Sequence, residues 1–261
     1  MSTNKYVNMV LIGLKEQLVY AKAIVFREIM MGIIMVVFIN LWSLVYENQA
    51  TINGVTFHQV IFYLLVTEAY FMARSMVSYK ISDEIKSGSI AYSLARPFDL
   101  QVYYFLVSVG DFLFKFLTNL LFGFLLLMLF GIQMNVTLAD VLLFSIALVF
   151  GYSIDYCIQF LIGVISFVEE EISGYIFIYE KLLFVFGGII FPVALLERSV
   201  QQLFYFSPFL YVIGFPAQII THETDHIVLM FGIQLVVLGI LMVSSTILFH
   251  KFKKRVVVNG G

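Results

Sequence analysis

Cysteine is almost missing from this chain of 261 residues: Cys157 stands alone inside a hydrophobic run, which excludes an internal disulfide framework and a cysteine-based metal site. Charge is scarce too. Charged residues make up 12%, with a net charge of −2, against about one-quarter in an ordinary soluble domain. No basic stripe interleaved with aromatics occurs, so nothing points to nucleic acid. There is no G-x-x-x-x-G-K-[ST] loop to cradle phosphate, hence no ATPase in the chain itself, and no G-x-S-x-G nucleophile elbow. The first residues lack the basic head and short apolar core of a cleavable signal. No Gly/Ser/Pro-rich linker, low-complexity tract or convincing repeat divides the chain, so 1–261 reads as one domain.

What remains is apolar. At 61% hydrophobic and a mean hydropathy of +0.98, the chain reads as an integral membrane protein. Runs such as Leu120–Phe130 and Ile227–Phe249 are apolar on every face rather than alternating, so the spans are helices and not barrel strands. Six blocks are long enough for roughly 30 Å of hydrocarbon: about Ile29–Tyr46, Val60–Tyr79, Tyr104–Phe130, Leu138–Val168, Tyr175–Leu196 and Ile227–Phe249. Residues 1–28 precede them as an amphipathic interfacial helix, with Asn8, Lys15 and Lys22 seven apart and Val7, Leu11, Leu14, Leu18 and Ile24 largely opposite. Lys5, Lys15, Lys22 and Arg27 precede the first block, Lys80, Lys86 and Arg96 lie between the second and third, and Lys251, Lys253, Lys254 and Arg255 follow the last, while the loops about 47–59 and 131–137 have no Lys or Arg. By the positive-inside rule both termini are cytosolic.

Two polar interruptions carry local structure of their own. In the cytosolic segment 80–103, Ser82, Asp83 and Glu84 read as a helix start, Gly88 as a break, Ser89 as a second cap, and Arg96-Pro97 as a stop. Two short helices lying on a surface are expected, although a plain connecting loop would satisfy the same pattern. In the outer segment 197–226, Leu203–Phe206 and Phe209–Ile213 are too apolar for an open loop, and Pro208, Gly214 and Pro216 cut them too short to cross. The expectation is a re-entrant segment over an internal space. Glu169, Glu170 and Glu171 with Ser173-Gly174 read as a tight cytosolic turn.

Glu68, Arg74, Asp111, Lys115, Asp155, Glu180 and Lys181 fall inside apolar blocks, where isolated charges cost a few kcal/mol or more. They must face inward and pair, either as packing ion pairs or as a vestibule for an amphiphilic or cationic substrate. Arg74, Lys115, Asp155 and Gln159 are the candidate lining of that pathway, with Tyr152 and Tyr156 as aromatic faces. His222-Glu223-Thr224-Asp225-His226 matches H-E-x-x-H, which on a helix would place two imidazoles for zinc and a glutamate as base. That gives an alternative function, an intramembrane metalloprotease; a polar helix cap explains the same residues. A scaffold or channel is the third class.

Ile85, Gly88-Ser89-Ile90, Leu94, Arg96-Pro97 and Tyr103 resemble the "I-x-x-G-S-I … L-x-R-P … Y" segment of type-two ATP-binding-cassette (ABC) exporter permeases, particularly the branch with proposed viologen and multidrug exporters. Phe191-Pro192, Phe206-Ser207-Pro208-Phe209 and Phe215-Pro216-Ala217 resemble that family's outer re-entrant segment. The resemblance implies a permease without its own ATPase, paired with an identical or homologous second permease in the cell membrane. ATP and magnesium would be held by separate cytosolic ABC ATPase subunits. It further implies that Asp83, Glu84, Ile85, Lys86 and Gly88 are coupling contacts with the ATPase, that Arg96 and Pro97 fix the return, and that Pro192, Phe206, Pro208, Phe209 and Pro216 belong to an outer gate. The charges in the spans match no motif of that family.

Overall fold

The structure is a computed structural model that describes residues 3–19, 21–224 and 226–256. Helix α1 (Thr3–Val19) leads into α2 (Ala21–Val45), and a two-stranded hairpin follows, β1 (Thr51–Ile52) against β2 (Val55–Thr56). Asn53 and Gly54, at φ 50° and 83°, form its turn, the left-handed pair that a two-residue hairpin requires. Then come α3 (Phe57–Ala73), α4 (Val77–Lys86), α5 (Ile90–Leu94), α6 (Leu100–Leu129), α7 (Leu138–Ile165) and α8 (Ser173–Phe186). A 3-10 turn (Val193–Leu195), α9 (Arg198–Phe206), α10 (Gly214–Ile220) and α11 (Ile227–Val256) complete the chain.

Among the described residues five stretches are long and apolar enough to cross a membrane: Lys22–Val45, Phe57–Lys86, Leu100–Leu129, Leu138–Ile165 and Ile227–Lys253. The fifth block of the sequence reading is not among them. Its helix, α8, has 14 residues and rises only about 21 Å, because Gly187 and Gly188 end it, the latter at φ 74°. From Val60 to Tyr70 α3 is buried on every side, as expected of a helix apolar all round, and α2, α6 and α10 pack around it. Its start is held by a capping box, the Thr56 hydroxyl and Gln59 amide bonding reciprocally.

Three expectations need correction. The second span does not run unbroken to Tyr79, because Arg74 leaves helical geometry (φ −54°, ψ 136°) and the chain re-enters helix at Val77. Nor does Ser82 start a helix. Val77, Ile81 and Ile85 recur every four residues and dock on α7, so α4 runs straight through Ser82, which is buried. Residues 1–28 are not one interfacial helix either: 21–28 belong to α2, and α1 runs alongside the first half of α6 in the same direction. There the carbonyls of Val10 and Val107 occupy the space that side chains at Gly110 and Gly13 would need. Met9 and Gly13 face α6, while Val7, Leu11 and Leu18 stay exposed, free for lipid. Met1 and Ser2, Tyr20 and Asp225, and the side chains of Lys254 and Arg255, all used in the sequence reading, lie outside the described residues.

Candidate functional site

Helix α4 is a rod with chemistry at both ends. At its far end Gly88 (φ 74°) turns the chain so that α5 folds back as an elbow. Asp83, Lys86, Gly88, Arg96 and Pro97 stand on the surface of this elbow. Glu84 and Ile85 do not: Ile85 packs against the core, and the Glu84 carboxylate accepts from Ser93 at 2.8 Å and from the Tyr104 hydroxyl at 2.6 Å. Glu84 therefore ties α4, α5 and α6 together, which calls for a carboxylate turned inward rather than toward a partner. Tyr92 escaped the sequence reading. It is 79% exposed at the tip of α5, an aromatic presented to solvent, and the only hint in the sequence is that it sits opposite Ile90 and Leu94. The return is braced by Arg96 over Phe98 and Tyr103, and by Lys5, whose Nζ donates to the Pro97 carbonyl at 3.3 Å. Lys86 reaches to within 4.0 Å of Glu171, whose carboxylate accepts from the Ser173 backbone N–H and is held below its usual range chiefly by that bond.

At the other end of α4 the helix break sends polar groups in two directions. Toward α7 and α8, the Arg74 guanidinium grips Asp155 through Nε at 3.1 and 3.2 Å and through Nη2 at 2.9 Å, both side chains 1% exposed. Tyr179 donates to the same carboxylate, and Gln159 does so at 3.2 Å. Asp155 is thus saturated, while Arg74 Nη1, Gln159 Oε1 and the Tyr70 hydroxyl are buried without partners among the described residues. Toward α6, the Ser75 hydroxyl bonds both the Ser108 carbonyl and Asp111, and Lys115 pairs with Asp111 at 2.8 Å. Lys115 is thereby separated from the other three candidate pathway residues, which converge. The other side of Tyr179 lines an apolar cleft of about 570 Å³ with Ile158, Ile162, Leu182, Phe209 and Leu241. One aromatic ring stands between that cleft and the ion pair.

Sequence reasoning also missed Arg27, counted there as flanking the first span. It lies inside the bundle, bonded to Asn119 at 2.9 Å, Thr118 at 2.8 Å and Glu28 at 3.1 Å. Asn119 in turn holds the Ala69 carbonyl at 3.0 Å, deep on α3.

Between α8 and α11 the chain packs into the bundle, with α10 against α7 and α3. All of α10 is buried, including Pro216, and Pro192 is buried before it. Backbone at such depth needs partners from the protein, and Gln234 on α11 provides them, donating at 2.9 Å to both the Ala147 and Tyr211 carbonyls. Pro208 and Phe209 are half-buried and Phe209 lies 6.0 Å from the Tyr179 ring, whereas Phe206 is 88% exposed.

The H-E-x-x-H match has no helix under it. His222 sits in a left-handed turn (φ 56°) with Nε2 3.4 Å from Asp140, and Glu223 turns inward to accept from the Thr221 hydroxyl at 2.8 Å. The two imidazoles do not share a helical face, and among the described residues no three His, Cys, Asp or Glu converge on a metal position. Burial pushes the Glu223 carboxyl up to about 8, against a hydrogen bond from Thr221 that lowers it. The folded chain therefore keeps a proton that the unfolded chain releases near 4.5, so stability falls as pH rises between these values, by a few kcal/mol at most. In detergent, unfolding midpoints measured from pH 5 to pH 8.5 are expected to decline, and Glu223→Gln to flatten the decline; an equally steep profile in that variant would remove Glu223 as its source.

Comparison with known proteins adds one match. A family model described as ABC-2 family transporter protein covers residues 31–259. No curated protein matches the chain.

Proposed function

Because the chain belongs to the ABC-2 family of transporter proteins, we propose that it is the permease of an ATP-driven exporter that moves an amphiphilic, drug-like or lipid-like substrate outward. In this reading it pairs with a second, identical or homologous permease in the cell membrane, keeps both termini cytosolic, and takes its energy from cytosolic ABC ATPase subunits that bind ATP and magnesium. The branch is that of the proposed viologen and multidrug exporters. The sixth crossing is completed by α8 together with the outer segment.

One observation supports this above the rest: a single ten-residue rod, α4, joins the exposed elbow to the helix break and its buried ion pair. Force applied at Asp83, Lys86, Gly88 and Tyr92 would rotate α4 as a body, because Glu84 binds the elbow to α6 and Ile81 fits against Gly163 of α7. The nearest flexible point is 74–76. Tilting there would draw Arg74 from Asp155 and shift Tyr179, opening a polar route beside the apolar cleft. A cationic substrate gains from Asp155 only after that release, since Arg74, Gln159 and Tyr179 already occupy its oxygens. The outer segment, with Pro192, Phe209 and Pro216 held against the bundle, would be the last barrier.

The test is substrate-stimulated ATP hydrolysis by the complex with its ATPase. Exposed triple change Asp83→Lys, Lys86→Glu and Tyr92→Ala should cut stimulation about tenfold or more, the scale of losing a few contacts worth about 1–2 kcal/mol in total, with the melting temperature of the permease unchanged. Full stimulation in that variant would defeat the proposal.

A further inference from the structure

A second polar space lies on the opposite side of the helix break from the ion pair. Between α1, α4 and α6 runs a crevice of about 210 Å³, with room for about seven waters. Its wall carries Glu16 and Gln17 from α1, Ser75 and Lys80 from the break and α4, and Asp111 and Lys115 from α6. Two cations and two carboxylates therefore face one small volume. Lys115 and Asp111 pair with each other, but Asp111 Oδ1 is buried with no donor, and Lys80 and Glu16 make no ion pair among the described residues. Lys80 and Glu16 thus each bring a charge to the crevice without a counter-ion, and complementary charges from outside the chain would satisfy both.

Depth identifies what is available. Ser75 lies just beyond the 17 residues of α3, about 27 Å from that helix's start, and Asp111 lies about 27 Å from the end of α6 at Leu129. Both helices place the crevice at the far boundary of roughly 30 Å of hydrocarbon, on the α4–α5 side, where lipid head groups sit. Met76 in its wall is 43% exposed, as is Tyr79 beside it, offering apolar surface for acyl chains running toward the bilayer centre.

We propose that this crevice holds the head group of a zwitterionic phospholipid bearing a primary amine, the ammonium on Asp111 and Glu16 and the phosphate on Lys80 and Lys115. A purely anionic head group would meet two carboxylates, and a trimethylated amine has no N–H to donate to the exposed carboxylate of Glu16. Occupancy would bridge α1, α4 and α6 at the point where α4 pivots. This goes beyond the transport reading and needs only that the chain spans a membrane.

Lipid retention tests it without any ATPase. The purified full chain, delipidated and then offered equal amounts of phosphatidylethanolamine, phosphatidylcholine and phosphatidylglycerol, is examined by native mass spectrometry. Phosphatidylethanolamine should be retained about tenfold better than either, the ratio expected from one hydrogen bond to a charged group. Lys80→Gln, at a half-buried position, and Glu16→Gln, at an exposed one, should each abolish the preference, and Leu235→Ala, on the exposed face of α11, should keep it. Equal retention of the choline lipid, displacement by the glycerol lipid, or an unchanged preference in both charge variants would overturn the proposal.

Discussion

Arg74→Met will cost the isolated chain about 3–5 kcal/mol in denaturant unfolding, because it leaves the Asp155 carboxylate buried with its counter-charge gone. Tyr179 and Gln159 cannot replace a guanidinium that meets both oxygens at 2.9–3.2 Å. The same rule makes the double variant informative. Arg74→Met with Asp155→Leu removes both charges, and exchanging a buried pair for apolar residues of similar volume is often neutral or better. Most of the loss should therefore return in the double variant, with an interaction free energy of a few kcal/mol between the positions. A double variant as unstable as Arg74→Met alone would show that the pair is not acting as a closed unit. In complex with the ATPase, the well-folded double variant should also hydrolyse ATP without substrate, since the lock that the proposed stroke must open is missing.

Gly151→Leu is expected to have the next largest effect, through the segment between α8 and α11. A side chain at Gly151 would occupy the position of the Val212 carbonyl oxygen, which is backbone and cannot swing away. Overpacking of this kind usually costs about 1–3 kcal/mol, and here the cheapest relief is to lift residues 210–213 off α7. That lift breaks the Gln234 bond to Tyr211 and exposes Leu210, which is fully buried. In a Cys157→Ser background, a cysteine at Leu210 should pass from unreactive toward a membrane-impermeant maleimide to readily labelled, an increase of about tenfold or more if the lifted state is dominant. Gly232→Leu serves as the control because no atom of the described residues lies within 4 Å of a β-carbon there. Equal labelling in both variants would mean that the outer segment does not rest on Gly151.

Much of this arrangement could be read from residue order. Uniformly apolar runs gave the crossing helices at α2, α6, α7 and α11 to within a few residues at most ends, and Gly88 and Pro97 marked the elbow. Three-dimensional competition hid the rest. Ser82-Asp83-Glu84 is as good a capping sequence as any, yet burial of Val77 and Ile81 on α7 outweighs a cap worth about 1 kcal/mol, and the helix runs on. The break at 74–76 has no proline or glycine. It arises because Arg74 and Ser75 find partners on opposite sides, Asp155 being 81 positions away and Asp111 36, and no local pattern contains such distances. Arg27 was misplaced for a related reason, since a flanking cation and an embedded one look alike until Asn119 appears beside it. At the site, the need of charges in the apolar blocks for partners was legible from their cost in lipid, but that Arg74 would meet Asp155 was not. The inward turn of Glu84 and the exposure of Tyr92 were not.

The fit of α1 along α6 has a bearing on how the protein is made. Lys5 and Pro97 are 92 positions apart, so at ordinary translation speeds the first helix leaves the ribosome on the order of ten seconds before its neighbour exists. Through that interval its exposed Val7, Leu11 and Leu18 give it somewhere to wait, on the bilayer, while two membrane crossings are threaded past it. Docking of α1 then becomes a late event in assembly, one that closes over a finished return from the elbow.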